Sequence, residues 1–375
     1  MACEDALKHP HKKRVTAQQR KEENEMRTGV TMKVGKLIFI GVFILALTSA
    51  ASAQVLQPLA DGFPKRAITL VVADDPGSRD GIYARAVQQA LKGISPVPIM
   101  VSDEPATTFG TFFKLKDLQL RPGGKEGYYP LAVTVWGSMG DLHCEPIKEE
   151  LGLDVTDMNM VIVSDQIPYT FTQKKNAPWG ATFADFVKYA KANPGKARYI
   201  SNQDGSGNDC AGEWVMQTLG LKVQKIPQQS SQSAVAVVAA GEGDFTWVSA
   251  DYALPHYNAG KVDMMMFIAS EVPPPWNKDP KVVASKEAGL PAVPMGIIVG
   301  QAVNKDVPPA HVEWLYKLFK AAAETDVYKQ REKMFPGLRI SLLNPAEANA
   351  LKMKMYDYAG GVIRNLGLAY DQQKK

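Results

Sequence analysis

The chain has 375 residues, with 43 Lys+Arg against 39 Asp+Glu, a formal net charge of +4 and three cysteines. That length accommodates one large domain or two medium ones, and 45% hydrophobic with 22% charged residues excludes wholesale disorder. Three cysteines exclude a disulfide scaffold and a four-cysteine zinc site.

The first 36 residues are polar and charged, and the apolar run Leu37–Leu47 follows, then Thr48 to Gln54 with Ala51-Ser52-Ala53. A basic stretch, a short apolar core and an Ala-x-Ala site make an export signal cleaved near Ala53. The apolar run falls short of the roughly 20 residues that span a bilayer, so export outweighs anchoring. A compact signal starts at Met32, and residues 1–31 read as an over-extended start or a long leader. Nine basic and five acidic residues lie in 1–53, which leaves 34 of each in the 322 residues that follow. The mature part is therefore neutral and offers no electrostatic footprint for nucleic acid or an anionic membrane surface. Cys144 and Cys210 remain, and a bridge between them is the minority expectation.

Beyond the leader, short apolar runs alternate with helical patterns, as in an α/β architecture. Ala67–Val72 reads as a strand, Ile82–Leu91 as a helix, and Val97–Val101 and Leu131–Val135 as strands. Met160–Val163 and Tyr169–Thr172 read as two further strands. Thr182–Ala192 is a helix capped by Thr182, with an apolar stripe of Phe183, Phe186, Val187 and Ala190, stopped by Asn193-Pro194-Gly195. Arg198–Ser201 reads as a strand, 202–208 as a glycine-containing loop, Ala211–Leu219 and Ser233–Gly241 as helices, and Phe245–Ser249 and Val262–Ala269 as strands. Val272–Trp276 is a Pro-rich connection between lobes. Met295–Val299 is a strand, and helices His311–Thr325 and Pro345–Asn365 close the chain.

Chemistry-bearing motifs are sparse. The strand-turn-helix at 67–91 lacks both glycine-rich phosphate signatures, and Asp74 and Asp75 would repel a phosphate. His143, His256 and His311 are scattered without metal or catalytic spacing. Ser206 in Asp204-Gly-Ser-Gly207 lacks the first glycine of a nucleophile elbow and a spaced histidine, so an exported hydrolase is a weak alternative. What recurs is small polar loops placed after strands: 134–138, 201–208 and 228–233. In open α/β sheets ligands sit beyond the carboxyl ends of strands, and free N–H groups at helix N-termini suit a carboxylate. Single loops of this kind are ordinary turn chemistry. Several in one exported chain favour a solute-binding cleft.

The stretches Pro64–Val72, Phe186–Tyr199, Leu254–Lys261 and Val283–Pro291 resemble, in order, the receptors of tripartite tricarboxylate transporters, also called Bug receptors. Ala192-Asn-Pro-Gly-Lys196 and Leu254-Pro-His…Ala-Gly-Lys261 are the most diagnostic pieces, and the likeness runs from about Gly62 to the C-terminus. The resemblance implies a two-lobe periplasmic binding protein of the type II kind with the ligand cleft between lobes: 54–160 and 288–375 in lobe 1, 161–287 in lobe 2. It implies capture of a small organic acid, delivery to membrane permease subunits, no chemistry, no cofactor and no metal. A monomer is expected.

Carried over residue by residue, the site comprises Gly77, Ser78, Arg79 and Asp80, with Thr134 and Ser138, Ser201, Gly205 and Ser206, and Ser230 and Ser231. The sequence departs from the family in several of these loops. The acidic residue of the first loop, Asp80, stands one place early, and the family's histidine in the 201–209 loop is Asp209. Asp74, Asp75, Asp80, Asp204 and Asp209 are expected to crowd the cleft. A carboxylate about 4 Å from any of them meets repulsion on the order of 4 kcal/mol at an effective dielectric near 20. Arg79 offsets part of this as a carboxylate fork. The same acids suit an amine-bearing, zwitterionic or aromatic ligand, or a sensor role. Trp136 is either a stacking platform or a core aromatic.

Overall fold

The computed structural model describes residues 55–74, 78–105, 110–144, 146–202, 204–291 and 295–373. The leader and its cleavage site lie outside these residues. Residues 55–375 form one compact unit.

In chain order the strands are β1 (Ile68–Val72), β2 (Ile99–Asp103), β3 (Leu131–Thr134), β4 (Met158–Lys174), β5 (Arg198–Ser201), β6 (Gln224–Pro227), β7 (Phe245–Ser249), β8 (Val262–Phe267), β9 (Val283–Ala284), β10 (Gly296–Asn304) and β11 (Arg339–Leu343). The helices are α1 (Arg79–Ala90), α2 (Gly110–Leu120), α3 (Val135–Cys144), α4 (Ile147–Leu151), α5 (Phe183–Ala192), α6 (Gly207–Leu219), α7 (Ser231–Ala239), α8 (Ala250–Asn258), α9 (Pro309–Ala323), α10 (Asp326–Met334), α11 (Pro345–Asn365) and α12 (Tyr370–Gln373). The expected α/β class is what the chain adopts.

The strands run in the order β2-β1-β3-β10-β4-β7-β5-β6, with β11 and β8 also on β4 and β9 on β8. Two parallel sets, β2-β1-β3 and β7-β5-β6, flank a central antiparallel pair, β10 and β4. Strand β4 joins them. Its first half pairs with β10 and β11, and Tyr169–Lys174 pairs with β7 and β8.

The two strands expected at Met160–Val163 and Tyr169–Thr172 are thus one strand of 17 residues. Ser164 and Asp165 look like a polar break in sequence, but both are buried and hydrogen-bonded within the strand's surroundings. Thr134–Ser138, expected as a loop, is the junction of β3 with α3, whose first turn begins at Val135. Its helical pattern is short and interrupted by Gly137 and Gly140, which hides it from periodicity.

Helix α5 follows the expected logic. Thr182 Oγ1 accepts from the Asp185 N–H at 3.1 Å, and Phe183, Phe186 and Ala190 are buried. Phe186 packs against Phe171 of β4 and Phe245 of β7, with ring centroids 4.6 and 4.8 Å away. Each such ring stabilises the sheet-on-helix contact by about 1.5–3 kcal/mol. Cys144 and Cys210 are not joined in a disulfide. No helix among the described residues is long and apolar enough to cross a membrane.

Candidate functional site at facing strand ends

In each parallel set, three strands deliver their carboxyl ends to helix N-termini. In one set β1 leads to α1, β2 to α2 and β3 to α3; in the other β5 leads to α6, β6 to α7 and β7 to α8. The two sets of junctions meet. Arg79, at the start of α1, reaches Asp251 Oδ2 at 2.6 Å and Ser249 Oγ at 3.5 Å, at the start of α8. Its guanidinium also lies 5.1 Å from the centre of the Tyr252 ring. Farther along, the Trp136 indole N–H of α3 donates to the Gly207 carbonyl at the start of α6. Only glycine fits there, because a Cβ at Gly207 would lie 2.7 Å from Trp136 and 2.8 Å from the Tyr169 hydroxyl.

The helix N-termini fall into two chemical types. Ser78 Oγ accepts from the Gly81 N–H at 3.1 Å, and Ser230 forms a reciprocal capping box with Ser233. Their hydroxyls complete their own helices. At α6 and α8 the N-cap residues are Ser206 and Ser249, yet neither side chain caps its helix. Ser206 Oγ is buried without a hydrogen-bond partner, as are Ser201 Oγ at the end of β5 and Asn202 Oδ1 beside it. Gly205, at φ 78°, provides the left-handed turn that brings this loop round. Buried polar atoms are ordinarily paired, so this cluster of exceptions makes the 201–206 loop a candidate for the site.

The remaining predicted residues support these loops. Thr134 Oγ1 donates to Asp80 Oδ1 at 3.0 Å, and the buried Ser138 hydroxyl bonds the Thr134 carbonyl and the Thr111 hydroxyl. Ser231 Oγ accepts from Asn208 Nδ2 at 3.1 Å and from Asn202 Nδ2 at 3.4 Å, bracing the 201–208 loop against α7. Gly77 and Asp75 lie outside the described residues. Trp136 is a core aromatic, only 1% exposed, with its N–H committed to Gly207.

The expected crowding by acids is corrected at two positions. Lys225 of β6 bridges Asp204 and Asp209, each at 2.8 Å, with Glu213 at 3.6 Å. Asp209 Oδ2 also accepts the Gly205 N–H at 3.0 Å. Where the family places a histidine, this chain therefore has a buried acid neutralised by a lysine. Arg79, expected as a free fork, is engaged by Asp251.

Asp80 keeps part of its surface open to solvent, but the dense protein around it dominates. Burial pushes its carboxyl up to about 6; Asp74 adds to this, and Thr134 and Arg79 oppose it. An unfolded Asp titrates near 3.9, so between about pH 4 and 6 the folded chain holds a proton that the unfolded chain releases. Stability contributed here is present at acid pH and lost as pH rises through about 6. Asp80→Asn is expected to gain stability over the wild type at pH 7 and none at pH 4, read by chemical denaturation across that range. Parallel pH profiles for the two proteins would contradict it.

Sequence reasoning missed Ser249, Asp251 and Tyr252, as well as the bracing role of Asn208. The strand at Phe245–Ser249 was legible, and applying the strand-end rule to it would have pointed to the start of α8. Among the described residues, no cluster of His, Cys, Asp and Glu side chains could hold a metal ion.

Residues 127–354, more than half of the chain, match the family model described as tripartite tricarboxylate transporter family receptor. A Cupriavidus necator protein, the UPF0065 protein in the gbd 5' region, is 23% identical over 340 residues, 88% of this chain and 97% of that protein. A TctC solute-binding protein from Polaromonas, solved without ligand, superposes with a TM-score of 0.68 at 19% identity, over 81% of this chain and 99% of that one. An R. palustris protein solved with adipate superposes with a TM-score of 0.62 at 18% identity, over 82% and 99% of the two chains.

Proposed function

The chain belongs to the tripartite tricarboxylate transporter family of receptors, and on that premise we propose that it captures a small organic acid between its two sets of strand-end loops and hands it to membrane permease subunits. It is a solute-binding protein and not an enzyme. The protein acts in the periplasm as a monomer, after cleavage near Ala53. Residues 54–160 and 288–375 make one lobe, and 161–287 the other.

One observation carries this reading: the buried, unpartnered Ser201 and Ser206 hydroxyls beside the uncapped start of α6. A carboxylate placed there accepts from two hydroxyls and from free backbone N–H groups at a helix N-terminus, where the helix dipole favours negative charge. Gly205 shapes the loop. Arg79, Asp80 and Thr134 stand at the other set of junctions, where Arg79 reaches the start of α8, and Ser78, Ser138, Ser230 and Ser231 hold the framework. The adipate in the R. palustris relative is of the same ligand class.

A thermal-shift panel of mono-, di- and tricarboxylates tests the reading. A ligand at a hundredfold excess over its Kd stabilises the folded state by about 2.7 kcal/mol, enough for a clear rise in melting temperature. A flat response across the panel would contradict capture of an organic acid. Delivery is tested separately, by whether disrupting the gene abolishes cellular uptake of the compound identified.

A further inference from the structure

Lys225 of β6 stands beside the 201–206 loop among three carboxylates, with Asp204 and Asp209 at 2.8 Å and Glu213 at 3.6 Å. With every group ionised, three negative charges face one positive charge, an excess of two. The three acids differ in how well the protein and solvent support their charge. Asp209 is fully buried, but its Oδ2 accepts from the Gly205 N–H at 3.0 Å and from Lys225, and its Oδ1 accepts from the Tyr199 hydroxyl at 3.4 Å. Three donors favour its anionic form. Asp204 is exposed, so water supports its charge. Glu213 stands one turn beyond Asp209 on α6, largely buried, with Lys225 at the longer distance.

Burial raises the Asp209 and Glu213 carboxyls, Lys225 opposes this in both, and Asp204 adds to the rise. The Cys210 thiol on the same helix is pushed up by burial first and then by Asp209, which makes it a neutral neighbour. Glu213 is therefore the member of the cluster best placed to take a proton. It lies seven residues along α6 from Ser206, about 10 Å at the helical rise. An anion at the start of α6 brings a further negative charge to that distance. At about 10 Å and an effective dielectric near 20, two like charges change each other's equilibria roughly tenfold.

We propose that capture of an organic acid at the 201–206 loop takes up one proton, held on Glu213, so that the receptor grips its solute more tightly as the pH falls. This deepens the receptor reading above and rests on it. The sign follows from linkage: the docked anion raises a carboxyl that burial has already raised, so the liganded protein holds a proton that the free protein releases. Asp209 keeps the Gly205 turn in place while Glu213 takes the proton, and acid strengthens capture without loosening the loop.

Calorimetric titrations with malate, adipate and citrate, at intervals from pH 5 to pH 8 and in two buffers of unlike ionisation enthalpy, measure affinity and count protons. The wild type is expected to bind roughly tenfold more weakly at pH 8 than at pH 5, with net proton uptake between. Glu213→Gln puts a neutral side chain of the same shape into the cluster. It is expected to bind roughly tenfold more tightly than the wild type at pH 8 and equally at pH 5, and to lose the uptake. Comparing two proteins on the same acid cancels the acid's own titration. Asp204→Asn, at an exposed position, is expected to flatten the wild-type profile in part, and it decides the matter if Glu213→Gln does not fold. Profiles and proton counts unchanged by these substitutions would overturn the proton linkage and leave the receptor reading standing. No binding of any of the three acids would count against both.

Discussion

Replacing Asp165 by alanine is expected to lower the unfolding free energy by roughly 3–5 kcal/mol, the range for breaking a buried ion pair from one side. Asp165 lies fully buried at the middle of β4. It accepts from the Tyr328 hydroxyl at 2.8 Å and from the Arg331 guanidinium, both on α10. Tyr328 also reaches Ser164 at 3.1 Å, and Ser164 reaches Tyr83 of α1 at 3.0 Å. Burial pushes the Asp165 carboxyl upward, while the Arg331 guanidinium and the Tyr328 hydroxyl pull the other way. The alanine variant leaves a guanidinium in the interior with no counter-charge and with a second nitrogen already unpaired. Replacing both partners with apolar residues, Asp165→Leu with Arg331→Met, is expected to recover much of the loss, because no uncompensated charge is left. Urea denaturation of the single and double variants measures this. A loss below about 1 kcal/mol for Asp165→Ala, as for an exposed surface pair, would show that the network is not holding α1 and α10 to β4.

Ser201→Ala and Ser206→Ala are expected to act with opposite sign on stability and on binding. Each removes a buried hydroxyl that has no partner in the protein. Leaving such a group unsatisfied costs about 1–3 kcal/mol, so the alanine variants should be as stable as the wild type or more so. A hydrogen bond from a hydroxyl to a carboxylate is worth about 1.5–3 kcal/mol, so each variant should bind an organic acid roughly 10- to 100-fold more weakly. Melting curves and titrations on the same preparations give both readouts. Lowered stability with unchanged affinity would mean that the hydroxyls are structural. As a comparison, Ser230→Ala removes a working helix cap and is expected to lose stability, because its hydroxyl already serves Ser233.

The architecture was legible from the sequence wherever a single rule decided it. Apolar runs marked β1, β3, β5 and β7, and the Thr182 cap and the Asn193-Pro-Gly stop bounded α5 within a residue. Strand β4 read as two because Ser164 and Asp165 are polar, and only their partners on α1 and α10 explain how they can be buried. Helix α10 escaped notice because its inward face carries Tyr328 and Arg331 in place of an apolar stripe. Helix α8 contains Pro255, which reads as a breaker, and its N-cap residue Ser249 makes no side-chain cap.

The candidate site divides in the same way. Ser201, Gly205 and Ser206 could be reached from a loop that follows a strand and opens a helix. What could not be read is which serines are already engaged as caps, that Lys225 neutralises Asp209, and that Arg79 meets Asp251 across 172 positions of sequence. These are pairings between distant segments, and local pattern carries no record of them.

Hydrogen–deuterium exchange, with and without the tightest-binding acid from the panel, tests the location of the ligand site most directly. The account predicts slowed exchange at the starts of α1, α6 and α8, together with the 201–206 loop and the β3–α3 junction, on both sides of the facing junctions. Slowed exchange confined to the cavity lined by Gln166, Ser270, Gly296 and Arg339, with no change at those junctions, would contradict it.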